Sequence, residues 1–263
     1  GASAVKWRPS FRGVVLPILN IAAYRFVSID DHDSLATSIK ALCVRLELKG
    51  TVLVSPEGVN IFLAGSAESI AGFLAEFTSD ARFTGMPVKY SRSSFVPFKR
   101  LRVKRKKEII TYRDDSLWPE QGRAPSVQPE TLARWLDTGK DDEGREVVLL
   151  DTRNIDEVVH GSFRNALIFP INRFTDLPKA VDMLKPELEG KTIVSFCTGG
   201  IRCEKSVLRM QADGYDNCYQ LEGGILGYFE KVGGRHYDGR CFVFDDRIAL
   251  DPTLDPLIDD IGF

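Results

Sequence analysis

The chain has 263 residues, 43% of them hydrophobic, a formal net charge of -2 and five cysteines. That is enough apolar material for two ordinary domains or one large one, and it excludes a disordered or low-complexity protein. Cys43, Cys197, Cys203, Cys218 and Cys241 are odd in number and widely spread; this excludes a secreted disulfide framework and fits a reducing cytoplasm.

The stretch Val14 to Ala23 is apolar but interrupted by Pro17 and Asn20, and it runs on into alternating Tyr24-Arg25-Phe26-Val27. It reads as the start of a strand rather than a leader, and no other stretch approaches membrane-spanning length. Ile18 to Ile29 is therefore the first predicted strand, and Ser34 to Leu48 carries apolar residues at helical spacing. Thr51–Val54 and Val59–Ala64 are short strands around the turn Ser55-Pro56-Glu57-Gly58. Ser66 caps a second helix to Phe77, and Met86–Ser91 and Arg102–Tyr112 supply the last strands. This order predicts a ferredoxin-like α+β domain over 1–113.

Asp114 to Ser126 is polar, holds Pro119, Gly122 and Pro125, and reads as a linker over 114–126. From 127 to 235, strands at Val147–Leu150, Ala166–Phe169, Thr192–Phe196 and Asn217–Leu221 alternate with helical stretches such as Pro129–Asp137. That alternation predicts an α/β domain with a mainly parallel sheet, followed by a C-terminal extension over 236–263. Ligand sites in such sheets lie at the carboxyl ends of strands, where Asp151 and Cys197 fall.

Cys197-Thr198-Gly199-Gly200-Ile201-Arg202 follows the strand ending at Phe196 and opens a helix running to Gln211. A turn of this kind points successive backbone N-H groups inward, and the helix start and Arg202 add positive charge, so the Cys197 pKa should fall. Cys197 is thus a candidate nucleophile, against the plainer reading of a small buried core residue. A side chain at Gly199 or Gly200 would block close approach of a ligand to the backbone. Cys203 could resolve an oxidised Cys197, but the spacing is not C-x-x-C and buried packing is the expectation. Asp151 and Arg153, on the neighbouring strand end, could brace the loop as an ion pair or contact substrate, and the supporting role is the expectation.

Seven cations, Lys99, Arg100, Arg102, Lys104, Arg105, Lys106 and Lys107, occupy nine residues. In an extended strand Arg100, Arg102, Lys104 and Lys106 would share a face while Leu101 and Val103 turn to a core. Such a row suits phosphate contacts, though a charged edge strand protected from aggregation has the same pattern. His236-Tyr237-Asp238 matches part of a non-haem iron pattern but no later histidine completes it, the cysteine spacing suits no zinc site, and the Gly-Gly pairs lack nucleotide-binding spacing. No bound metal, flavin or nicotinamide is expected.

Leu150-Asp151-Thr152-Arg153 with Glu157, His160 to Ala166, Cys197 to Arg202, and Leu221-Glu222-Gly223-Gly224-Ile225 together resemble a rhodanese domain. In rhodaneses six residues from Cys to Arg go with sulfur chemistry, and the related phosphatases use seven; here there are six. Gly50 to Asn60, Pro97 to Lys104 with Lys107-Glu108-Ile109, the extended loop through Cys203-Glu204-Lys205, and Arg240 to Asp245 narrow the resemblance to the TrhO family. The resemblance implies hydroxylation of the wobble uridine of tRNA to 5-hydroxyuridine, with molecular oxygen as co-substrate and the anticodon region as the partner recognised. It implies Cys197 as nucleophile or covalent intermediate, Arg202 as stabiliser of its thiolate or of a bound anion, and Thr198, Gly199, Gly200 and Ile201 as the loop cradle. Sulfur adding to uracil C6 and a persulfide or peroxidised sulfur carrying oxygen both remain open. Lys99, Arg100, Arg102, Lys104 and Lys106 are the expected RNA contacts. Rival readings are a thiosulfate-type sulfurtransferase and a non-enzymatic tRNA-binding or redox-sensing module; no protein partner is implied.

Overall fold

The computed structural model describes residues 17–257; the start of the expected first domain, residues 14–16 of the apolar stretch and the end of the expected extension lie outside them. In the first half β1 (Ile18–Phe26), α1 (His32–Arg45), β2 (Lys49–Ser55), β3 (Gly58–Gly65), α2 (Ala67–Phe77) and β4 (Val88–Ser93) give the order β4-β1-β3-β2. β5 (Leu101–Arg105) adds in parallel outside β2. Ser66 caps α2, accepting the Ser69 N-H at 3.0 Å, as expected from sequence.

Period-two alternation decides which face of this sheet does what. Ile21, Ala23, Val52, Val54, Val59, Ile61 and Leu63 bury against Ile39 and Leu42 of α1 and Ile70 and Phe73 of α2. The register places Asn20, Ala22 and Tyr24 of β1 beside Ser91 and Lys89 of β4 and Asn60 and Phe62 of β3, all on the opposite face. Arg102 and Lys104 pair in register with Thr51 and Leu53 and belong to that same face.

The second half contains β6 (Ser126–Val127), α3 (Pro129–Thr138), β7 (Val147–Asp151), α4 (Ile155–Val158), β8 (Gly161–Phe163) and β9 (Leu167–Ile168). There follow α5 (Leu177–Asp182), α6 (Lys185–Leu188), β10 (Thr192–Phe196), α7 (Ile201–Ala212), β11 (Cys218–Leu221) and α8 (Gly224–Val232). β6-β11-β10-β7-β9 is a wholly parallel sheet. β12 (Tyr237–Gly239) pairs with β8, and β13 (Cys241–Phe242) with β14 (Ala249–Leu250). Because β7 and β10 are neighbours with Asp151 opposite Phe196, their carboxyl ends deliver Thr152 and Cys197 to one place.

Three sequence expectations change. β1 ends at Phe26, and α1 runs over His32–Arg45 rather than 34–48. The strand expected over 102–112 stops at Arg105, where the Lys106 N-H makes a last bond to the Val54 carbonyl of β2; farther on, carboxylates take the backbone donors, Glu57 accepting the Ile109 N-H at 2.7 Å and Glu108 those of Tyr112 and Arg113. In the segment 114–126, read as a linker, Leu117 and Ala124 join the second-half core beside Tyr112.

Candidate functional site

All five residues of β10 are buried, so the strand drives Cys197 into the interior before the chain turns. Cys197 is 1% exposed and its Sγ accepts the Gly200 N-H at 3.1 Å. Gly200 makes the turn at φ 102°, a conformation costly for a residue with a Cβ. The strand-helix turn ahead of α8 locks the loop from behind: Ile225 N-H donates to the Cys197 carbonyl at 2.9 Å and Leu226 N-H to that of Thr198 at 3.0 Å. A Cβ on Gly224 would lie 2.6 Å from the Cys197 oxygen, so glycine at 224 is required by close approach.

Burial raises the Cys197 pKa, but a hydrogen bond from the Cys203 thiol, the Arg202 charge and the Arg202 and Gly200 N-H groups outweigh it and bring it down to about 6. At neutral pH the sulfur is a thiolate, the nucleophilic form. Cys203 shifts the other way: burial and the neighbouring thiolate hold it protonated, which is what allows it to donate. Its expected role as core filling is therefore incomplete. Although side chains 202 and 203 diverge on α7, the loop folds back far enough to set Cys203 against Cys197, with Thr152 Oγ1 3.6 Å from its sulfur.

Arg202 is not free. Glu157 grips its guanidinium with two contacts of 2.6 Å, and both side chains are buried. The resulting cation is fixed beside the thiolate without being available to a ligand as a mobile clamp. Asp151 and Arg153 pair at 2.7 Å with both side chains inaccessible to solvent, and Arg153 also donates to the Gly161 carbonyl. Thr152 binds the Phe196 carbonyl through both N-H and Oγ1. This strand end braces the loop, and neither Asp151 nor Arg153 lines the cavity in front of it.

The residues after the loop dock the two halves. Tyr24 Oη donates to Glu204 at 2.9 Å, and Arg123 and Gln220 hold the same carboxylate. Lys205, 1% exposed, reaches Glu57, Glu108 and the Ile110 carbonyl. Arg247, itself bound to Asp245, donates to Ser91 Oγ on β4 at 2.6 Å. The helix-free face of the first sheet is thus pressed over the Cys197 loop, leaving a cavity of about 550 Å³ between Asn20, Tyr24 and Phe62 on one side and Cys197, Thr198 and Phe244 on the other. Phe244 is 62% exposed at its edge, with the Arg202 guanidinium 5.9 Å from its ring centre.

Cys197, Thr198, Gly199, Ile201 and Arg202 line this cavity, and a Cβ at Gly199 would meet nothing within 4 Å, so that position opens toward it. Of the basic strip, Lys106 lines the cavity, Arg102 and Lys104 are exposed on the same sheet face, and Lys99 and Arg100 precede the strand. His236 binds Asp137, and among the described residues no three His, Cys, Asp or Glu side chains are grouped as a metal site. Sequence reasoning missed Tyr24, Lys89, Glu204 and Phe244. Strand periodicity could place Tyr24 and Lys89 on one face, but nothing in it says that this face covers Cys197.

The model described as "UPF0176 acylphosphatase like domain" matches residues 18–109, and the "Rhodanese-like domain" model matches residues 128–231. A protein of Xanthomonas euvesicatoria pv. vesicatoria named tRNA uridine(34) hydroxylase is 59% identical over 92% of this chain and 98% of its own length. One of the same name from Bordetella avium is 57% identical over 92% of this chain and all of its own. The chain belongs to the tRNA uridine(34) hydroxylase family. Among solved structures, a rhodanese-related protein of Thermoplasma volcanium is 23% identical, with a TM-score of 0.34 over 41% of this chain and 94% of that one. For a member of this family the cavity is notable for its two-domain lining, since the rhodanese-like domain supplies the sulfur and the first domain the opposite wall.

Proposed function

We propose that this chain hydroxylates the wobble uridine of tRNA to 5-hydroxyuridine, with Cys197 as the covalent centre and molecular oxygen as co-substrate. The observation that carries this is a thiolate set in the floor of a cavity roofed by a second domain. The arrangement suits a single base withdrawn from its stack and shut away from water. Gly199 leaves room for a planar ring over the sulfur, and the fixed Arg202–Glu157 pair keeps the thiolate charged while the cavity is dry. Sulfur adding to C6 would raise electron density at C5, where oxygen is delivered; a reductant must supply two electrons, since the second oxygen atom leaves as water. A sulfur-borne oxygen or persulfide route would use the same thiolate. Arg102, Lys104 and Lys106, with Lys99 and Arg100, are assigned to phosphates flanking the base, which position the strand without reading it. No helix among the described residues is long and apolar enough to cross a membrane, and a tRNA substrate is met in the cytoplasm.

The test is mass spectrometry of nucleosides from tRNA lacking the modification, incubated with the protein, oxygen and a reductant. An added oxygen at position 34 is the expected product. An added sulfur would instead make the protein a sulfurtransferase, and unchanged nucleosides would reduce it to a binding or redox-sensing module.

A further inference from the structure

Arg202 is spent on Glu157, which leaves the cavity in need of a cation that can act on a ligand. Lys89 is such a group. It stands on β4 opposite Ala22 and lines the cavity with Cys197. Among the described residues its Nζ has no hydrogen-bond or ion-pair partner, and it lies over the Tyr24 ring, 5.8 Å from the centre. Its stem runs over the turn before α8: a Cβ on Gly223 would lie 3.5 Å from Lys89 Cε, and one on Gly227 4.0 Å. The same Tyr24 carries its hydroxyl to within 3.1 Å of a Cβ placed on Gly200, so one side chain touches both Lys89 and the thiolate loop.

We propose that Lys89 is a catalytic cation of this site, its ammonium facing the Cys197 thiolate in the free enzyme and the uracil O4 once sulfur has added to C6. In that step the S–C6 bond forms, the C5=C6 electron pair becomes a C4=C5 double bond, the C4=O4 π pair moves onto oxygen, and the negative charge that left sulfur appears on O4. A positive group able to follow the charge from sulfur to oxygen stabilises the product of addition more than either immobile ion pair can. The role rests on the proposed uridine chemistry and on the addition route within it.

The surroundings fit a lysine that must stay charged at some cost. Burial lowers its pKa, opposed first by the Cys197 thiolate and then by Glu222, Glu230 and Glu204. Glu204 is already held by Arg123 and Tyr24, and Glu222 by Arg123, which leaves the thiolate and the solvent-exposed Glu230 as the facing charges without a rigid salt-bridge partner among the described residues. Tyr24 itself remains a neutral phenol, its pKa raised by burial and by Glu204.

Lys89→Met and Lys89→Arg test this in the full-length protein through two readouts. The first is the pH dependence of Cys197 alkylation by iodoacetamide, which needs no tRNA. Lys89→Met should raise its midpoint by about one unit, and Lys89→Arg should restore it. The second is single-turnover hydroxylation, which should fall roughly a hundredfold in Lys89→Met with tRNA affinity little changed. An unmoved alkylation midpoint with wild-type turnover overturns the proposal. A shifted midpoint with wild-type turnover refutes the catalytic role while keeping the pairing with sulfur. Absence of hydroxylation in the wild type together with a shifted midpoint would remove the uridine reading and with it the O4 role.

Discussion

Arg202, Arg153 and Lys205 around the loop and Arg102 and Lys104 on β5 are the same residue types in opposite situations. The first three are buried and each is held by a carboxylate, Glu157, Asp151 and Glu57 respectively. The second two are exposed, and among the described residues neither has an ion-pair partner. A buried cation cannot be released to a ligand without leaving its carboxylate uncompensated, so its work is to hold shape and set the local potential. An exposed one contributes little to the fold and is free to meet something arriving from solvent. Lys89 falls between the two classes, partly buried yet without an ion-pair partner among the described residues, which is why the proposal above gives it the part of a cation that meets substrate.

The largest effect should come from breaking a buried pair. Glu157→Ala leaves Arg202 charged and buried, and denaturant unfolding should show a loss of roughly 3–5 kcal/mol. A change below about 1 kcal/mol would mean that the pair is not what holds the loop.

Next is pH. The Cys197 pKa is depressed to about 6, so between its unfolded value, ordinarily near 9, and about 6 the unfolded chain binds the extra proton. Its contribution to stability is complete above the unfolded value and is lost as pH falls through about 6. Alkylation of Cys197 should have its midpoint near that same pH, rising on the alkaline side. A midpoint near 9 would show that the N-H groups, Cys203 and Arg202 do not outweigh burial.

The smallest effect on the fold belongs to the strip. Arg102→Ala with Lys104→Ala should leave stability within about 0.5 kcal/mol of the parent while weakening tRNA binding. If both contact phosphates of a single strand, the slope of log affinity against log salt should shrink by about 1.4. An unchanged slope returns β5 to the role of a charged edge strand.

Much of this contrast was legible in the chain. The Cys197–Arg202 turn, the two strand ends that frame it and the β-α-β-β-α-β order follow from local signals, because loop, cap and alternation are set by neighbours in sequence. The exposed face of Arg102 and Lys104 followed from period two. What could not be read was long-range: that Glu157 takes up Arg202, that Glu57 and Glu108 take the backbone donors of Ile109, Tyr112 and Arg113 beyond β5, and that Glu204 and Lys205 tie α7 to the other half. Those carboxylates are distant in sequence, and only the packing of one domain's open sheet face on the other's loop selects them. Lys89 and Tyr24 were missed for the same reason.

The central claim is that the thiolate of Cys197 makes the covalent link through which a uridine is oxidised. Cys197→Ser keeps the size of the side chain and removes the thiolate, so nucleoside mass spectrometry of tRNA incubated with this variant tests the claim most directly. The expected result is tRNA that still binds with near parental affinity and yields no 5-hydroxyuridine, beside full conversion by the parent; conversion by the serine variant at the parental rate would contradict it.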